Sequence, residues 1–119
     1  MDDLIRRLTT ETGIDRAAAE KAVGIIFEFL LREGPADDVQ PLLAGLPGAD
    51  ALMQRAGGEG GDAPAGGMMG AGMRMMSAGL TIGQVQSVSR TVLDYARRQV
   101  GEETVAKVVS GIPGLAEFV

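Results

Sequence analysis

Apolar residues recur every three or four positions in two stretches of the chain, the spacing that places side chains on one face of an α-helix. They are Ala19, Ala22, Val23, Ile26 and Leu30 in the first stretch, and Val85, Val88, Val92 and Ala96 in the second. Phe27 and Phe29 widen the first apolar face, so we expect this helix to be the more deeply buried. The pattern predicts an all-α protein, a small helical bundle.

Matching signals mark where each long helix begins. Gly13 and Gly79 suit the left-handed residue that closes a preceding short helix. Asp15 and Thr81 then follow at the N-cap position, where a side-chain oxygen accepts a hydrogen bond from a free backbone N–H. Gln84 completes a capping box with Thr81. Two helices starting near residues 16 and 82 are therefore predicted.

A shorter helix is expected after each long one, ended by Gly45 in the first case and by Gly111 in the second. Pro41 constrains the first of these short helices, because a proline ring clashes with the carbonyl four residues back. With Asp38 as the N-cap, Pro41 falls at the third helical position, where no amide donor is needed. This helix should therefore start late, after Asp38.

An internal repeat organises the sequence. Residues 12–53 align without a gap on residues 78–119, an offset of 66 positions. The match places Gly45–Gly48, a Gly-Leu-Pro-Gly corner, on Gly111–Gly114, a Gly-Ile-Pro-Gly corner. Repeats of this kind indicate supersecondary units that bury their apolar faces against each other. We therefore predict two tandem helical repeats related by a pseudo-two-fold axis.

The repeat sets the expected domain organisation. Residues 1–55 form the first helical repeat and residues 68–119 form the second. Between them, residues 56–67 are dominated by glycine and read as a flexible linker. Each repeat is too small to hold a stable core alone, so the two should pair. Pairing within one chain predicts a monomer, with a swapped dimer as a concentrated minor form.

Composition excludes several kinds of chemistry. The 119 residues include no Cys and no His, so disulfides, thiolate nucleophiles, Ser-His-Asp triads and His-ligated zinc are impossible. We predict that the protein is not an enzyme and binds no cofactor. The net charge of −5 argues against a nucleic-acid partner. With no secretory signal and no apolar run long enough for a membrane span, a cytoplasmic location is expected.

A methionine cluster is the most unusual feature of the sequence. It comprises Met68, Met69, Met73, Met75 and Met76. Three interpretations are open: a short amphipathic helix that fills the core, an adaptable apolar surface for a partner or ligand, or a thioether site for Cu(I). All five residues are candidates for a partner or ligand surface.

Basic residues near the end of the second long helix form a further candidate surface. Arg97 and Arg98, with Arg90 and Lys107, make the second half locally basic. They fit a solvated helix face. They also fit docking on the acidic first half or on an acidic partner.

Several features together resemble one known family. They are Thr12–Asp15 after a short helix, the stretch Leu46–Leu52 reading LPGADAL, a Gly/Met-rich middle, and a second helical half. This combination resembles the bacterial VcgC/VcgE-like proteins, a family of unknown function. The resemblance implies an all-helical bacterial protein and supplies no activity or site residues.

These observations favour an interaction or regulatory module without catalysis, which binds another protein or itself. The alternative is a carrier of an apolar small ligand, bound between the two repeats. A deep pocket lined by Met and Val, with one or two Arg at its mouth, would favour the carrier, and a closed core would argue against it.

Overall fold

The computed structural model describes residues 2–46, 48–57, 67–112 and 115, with backbone alone at positions 36, 55–57 and 67–69. This part of the chain forms seven α-helices and contains no strand, which confirms the all-α class. The helices are α1 (Asp2–Thr12), α2 (Arg16–Glu33), α3 (Ala36–Ala44), α4 (Ala49–Gly57), α5 (Gly67–Ser77), α6 (Ile82–Val100) and α7 (Glu102–Ser110). No helix within the described ranges is long and apolar enough to cross a membrane.

The predicted starts of the two long helices are confirmed. The Asp15 carboxylate accepts a hydrogen bond of 2.8 Å from the backbone N–H three residues on. Thr81 and Gln84 form the reciprocal capping box, with bonds of 3.2 and 2.9 Å. Gly13 and Gly79 have positive φ angles of 76° and 106°, a conformation that costs glycine little because it has no Cβ.

The apolar faces predicted for the two long helices are all buried. In α2 the buried surface extends further around the helix, because Phe27 and Phe29 are also inside. Tyr95, which occupies in α6 the place that Phe29 has in α2, is half-buried. The first long helix is therefore the more enclosed of the two, as the sequence predicts.

The expected late start of the third helix is wrong. The helix begins at Ala36 with Pro35 as its N-cap residue, and Pro41 lies inside it. The Pro35 carbonyl accepts hydrogen bonds from the amides of Asp38 and Val39, which form the first turn early. Pro41 has no N–H to donate to the Asp37 carbonyl. Both residues lie on the exposed side of the helix, where water can donate that hydrogen bond instead.

For packing, residues 2–57 are called the first half and residues 67–115 the second half. Helices α1 and α5 each pack against both long helices, so the first helix of each half also packs on the long helix of the other half. The long helices α2 and α6 contact each other, as do α3 and α7, and α4 packs extensively on α2. One continuous apolar core results.

Helical structure enters the predicted linker from both ends. Helix α4 continues to Gly57 and α5 begins at Gly67, whereas the sequence predicts a linker over residues 56–67. Packing of α4 on α2 stabilises a glycine-ended helix that its own propensity does not favour. The intervening residues 58–66 lie outside the described residues.

Candidate functional site

The structure divides the methionine cluster between core and surface. Met75 is buried, with 3% of its surface exposed, whereas Met73 and Met76 are 52% and 47% exposed. Met68 and Met69 belong to the first turn of α5, but their side chains lie outside the described residues. Helix α5 packs against α2 and α6, so one side of it faces the core. The cluster therefore contributes a core residue and two surface residues.

The two exposed methionines lie on one side of α5, because residues three apart are neighbours on a helix surface. Ile82, the first residue of α6, follows after a short turn and is 68% exposed. Met73, Met76 and Ile82 are hereafter called the α5–α6 apolar surface. Ile82 was not among the surface residues predicted from the sequence. Its position directly after the Thr81 N-cap, off the apolar face that contains Val85, could have indicated its exposure.

A small apolar cavity lies where α2, α5 and α6 meet. Its volume is about 30 Å³, enough for about one or two water molecules and far below the roughly 300–1,000 Å³ of small-molecule pockets. The walls are almost entirely apolar, and the Ser89 hydroxyl beside it already donates to the Val85 carbonyl at 2.9 Å. The lining residues are Ile26, Phe29, Leu30, Ala71, Gly72, Met75, Val85, Ser89, Leu93 and Leu115.

An ion-pair cluster joins α5 to α2. The Arg74 guanidinium lies 3.2 Å from one Glu28 carboxylate oxygen and 3.5 Å from the other. Arg32, one turn further along α2, approaches the same carboxylate at 3.3 Å. Arg74 and Glu28 are both largely buried, so the pair is less screened by water than an ordinary surface pair.

A second cluster joins α1 to α6. Arg7 donates to Asp94 at 3.0 Å and to Glu11 at 2.7 Å. The hydrogen bond that Arg7 donates to Glu11, and then the one that it donates to Asp94, raise the pKa of Arg7 above its usual range. Arg98 also approaches Asp94, at 3.5 Å.

The two predicted basic candidates differ in their surroundings. Arg98 is held by Asp94, whereas Arg97 forms no ion pair with any described residue. Arg90, two turns before Arg97, is likewise exposed and outside any ion pair in the described part of the chain. Met75 lines the cavity between α2, α5 and α6, whereas Arg97 lines a different cleft together with Arg90, Leu93 and Asp94.

A metal site built from acidic side chains gains no support in the described part of the chain. Within the described ranges, no group of three or more acidic, His or Cys side chains could hold a metal ion. Met75 is buried in the core, whereas Met73 and Met76 are exposed, so Met75 does not share their surface.

No protein-family model, no curated protein and no solved structure matches this chain. The resemblance to the VcgC/VcgE-like proteins therefore stays a prediction. What the chain can bind has to be inferred from its own surface, and the α5–α6 apolar surface is the strongest candidate.

Proposed function

We propose that this protein is a cytoplasmic, non-catalytic interaction module that binds another protein through the α5–α6 apolar surface. The observation that carries the proposal is the exposure of Met73, Met76 and Ile82 in a protein that has a full apolar core elsewhere. Methionine side chains are flexible and polarisable, so they adapt to the shape of a partner. A partner that covers these side chains removes their apolar area from water, which lowers the free energy of the complex.

The proposal includes the duplication predicted from the sequence. The helix bounds support it, because α2 and α3 begin 66 residues before α6 and α7 respectively. The packing also fits a pseudo-two-fold axis: α1 packs on α6 as α5 packs on α2, while α2 pairs with α6 and α3 pairs with α7. Two copies of one scaffold account for both patterns.

The first helix of each copy fits the same scheme with an offset of 67. Arg7 of α1 binds Asp94 and Arg74 of α5 binds Glu28, and the two acids are themselves 66 residues apart. The extra residue therefore belongs to the first copy, where Asp15 follows Arg7 by eight positions, whereas Thr81 follows Arg74 by seven.

In this correspondence, the residues of the α5–α6 apolar surface have polar counterparts in the first copy. Met73 and Met76 take the places of Arg6 and Thr9 in the first copy, and Ile82 takes the place of Arg16. Because the scaffold accepts polar residues at these three places, folding does not require the apolar ones. Exposed apolar residues that folding does not require are best explained by a partner that covers them.

An apolar-ligand carrier is the second candidate, because the cavity beside Met75 lies between the two halves, where such a ligand was predicted. Its volume of about 30 Å³ requires the halves to separate before a ligand could enter. The interaction module needs no such change and is therefore the preferred function.

The test is a variant that gives the second copy the residues of the first: Met73→Arg, Met76→Thr and Ile82→Arg together. Wild-type and variant proteins are immobilised and exposed to a lysate of the source cells, and captured proteins are quantified by mass spectrometry. We expect at least one protein to be captured by the wild type and lost, by about tenfold or more, with the variant.

The matched control is Leu31→Arg, which replaces another exposed apolar residue, 44% exposed, by the arginine found at the matching place in α6. The control should retain the captured protein, and both variants should keep the helical circular dichroism of the wild type. Capture patterns that are the same for all three proteins would show that the surface binds no partner in that lysate, contrary to the proposal.

A further inference from the structure

Two thioethers of the α5–α6 apolar surface are open to water, and a third on the same helix is not. Met73 and Met76 are 52% and 47% exposed, whereas Met75 is 3% exposed. Thiols and thioethers are the side chains that peroxides oxidise most readily, and this chain has no Cys. The cavity beside Met75 is almost entirely apolar, which does not favour a polar oxidant there. A dissolved oxidant therefore meets Met73 and Met76 first.

Hydrogen peroxide oxidises a methionine by transferring one oxygen atom to its sulfur. A sulfur lone pair attacks one peroxide oxygen and the O–O bond breaks. The departing hydroxide takes the proton of the transferred hydroxyl group, which gives water and a sulfoxide. Methionine sulfoxide reductases reverse the change: two thiols are oxidised to a disulfide, and the sulfoxide oxygen leaves as water. The modification is thus reversible.

The surroundings of the two methionines make their polarity decisive for this surface. Among residues 70–87 only Arg74 is charged, and its side chain is 14% exposed and paired with Glu28. A sulfoxide replaces a flexible apolar group by a polar one that accepts hydrogen bonds. A partner that covers it without supplying a donor has to remove that polar group from water, which is unfavourable. Oxidation therefore opposes the binding of an apolar partner.

Polar side chains are compatible with the fold at these two places. In the duplication proposed above, Arg6 and Thr9 occupy the same places in the first copy, where α1 packs on α6 as α5 packs on α2. Oxidation of a buried methionine disrupts packing, but oxidation of Met73 and Met76 adds oxygen on the exposed side of α5. We expect the sulfoxides to make the surface polar and to leave the core intact.

We propose that Met73 and Met76 form a peroxide-sensitive modification site, and that their reversible conversion to sulfoxides switches off the binding of a partner to the α5–α6 apolar surface. Oxidation of the two residues depends on their exposure alone. Its effect on a partner rests on the function proposed above, so the site and the switch are tested separately.

Selectivity is measured on the folded full chain. The protein is treated with hydrogen peroxide, quenched at intervals and digested, and the sulfoxide at each methionine is quantified by mass spectrometry. Cleavage after Arg74 separates Met73 from Met75, and fragmentation distinguishes Met75 from Met76. We expect Met73 and Met76 to oxidise at least about tenfold faster than Met75. Denaturant should remove the difference, because all three thioethers are then exposed.

The polarity of the surface is measured by the retention of the folded protein on a phenyl column. Peroxide should shorten the retention of the wild type, and a methionine sulfoxide reductase with dithiothreitol should restore it. The matched control combines Met73→Leu and Met76→Leu, which keep the surface apolar and leave every other methionine oxidisable. Peroxide should shorten its retention by less than about half of the wild-type shift. Helical circular dichroism should be unchanged while Met75 is still reduced.

The switch is measured with the protein that the wild type captures through the α5–α6 apolar surface. Its capture should fall by about tenfold or more after peroxide treatment and return after the reductase. A wild type that captures no such protein would contradict the proposed function and the switch with it. Oxidation rates and column retention would still decide whether the modification site exists.

The site is overturned if the three methionines of α5 oxidise at equal rates in the folded protein. Equal retention shifts of the wild type and the leucine variant would also overturn it, because other methionines would then account for the change. Undiminished capture by the protein oxidised at Met73 and Met76 would overturn the switch.

Discussion

Two isoleucines show how differently one residue type behaves in this molecule. Ile26 is 5% exposed and borders the small cavity, whereas Ile82 is 68% exposed. We expect Ile26→Ala to lower the free energy of unfolding by about 2–5 kcal/mol, because it removes buried methyl groups and enlarges the cavity. Ile82→Ala should change it by less than about 0.5 kcal/mol.

Chemical denaturation of the two alanine variants measures this difference directly. The substitution is identical in both, so its effect on the unfolded chain largely cancels. Equal shifts of the denaturation midpoint would mean that Ile26 is not enclosed by the core or that Ile82 is.

Glycines at helix ends permit close approach between the halves. A Cβ atom on Gly111 would lie 2.6 and 2.8 Å from ring carbons of Pro35, and one on Gly45 would clash with Val100. We expect Gly111→Ala to cost about 1–3 kcal/mol, because α3 and α7 would have to move apart. The comparison is Gly72→Ala, where nothing lies within 4 Å of the added atom.

Gly72→Ala should stabilise the protein by about 0.5–1 kcal/mol, since alanine has the higher helix propensity. Thermal melts of the two variants should therefore shift in opposite directions. A higher melting temperature for Gly111→Ala would contradict the close contact between the halves.

At the scale of helices, the ion pairs that join α5 to α2 should be stronger than ordinary surface pairs. The side chains of Arg74 and Glu28 are 14% and 19% exposed, whereas those of Arg16 and Asp2 are 55% and 78% exposed. Water and salt screen the second pair more effectively. We expect a coupling energy of about 1 kcal/mol for the first pair and one near zero for the second.

Double-mutant cycles built from Arg74→Met and Glu28→Gln, and from Arg16→Met and Asp2→Asn, measure the two coupling energies. Methionine keeps the length of the arginine stem, so packing changes little. Coupling of equal size in both cycles would show that burial of the Arg74 pair adds nothing to its strength.

At the scale of the whole molecule, the first helix of each half packs on the long helix of the other half. The length of the segment that joins the halves should therefore affect how they pair. Helix α5 packs on α2, and α1 packs on α6, so neither half covers its own long helix alone. Deleting residues 58–66 would join Gly57 directly to Gly67 at one Cα–Cα spacing of about 3.8 Å. We expect this deletion to favour a dimer in which the halves pair between chains.

Light scattering after size-exclusion chromatography distinguishes the outcomes. The full chain should be a monomer in dilute solution, because pairing within one chain has an effective concentration on the order of millimolar. A deletion variant that remains a monomer with unchanged melting temperature would show that these residues do not control pairing.

Local chemistry in the sequence determined where the two long helices begin and which faces they bury. The caps at Asp15 and Thr81 and the positive φ angles at Gly13 and Gly79 depend on residues within one turn, so the sequence predicts them correctly. The apolar stripes of α2 and α6 follow from the helical period and are likewise buried as predicted. The absence of Cys and His equally needed no structure to exclude their chemistry.

Tertiary packing decided what local rules cannot specify. Helix α3 includes Pro41 because the residue is exposed, and α4 extends to Gly57 because it packs on α2. Met75 is core while Met73 and Met76 are surface because α5 lies across the other half's long helix. For the same reason Asp94 binds Arg7, eighty-seven residues away, and Arg90 forms no ion pair with the described residues. These outcomes depend on residues distant in sequence, whose meeting is fixed only when the whole core closes.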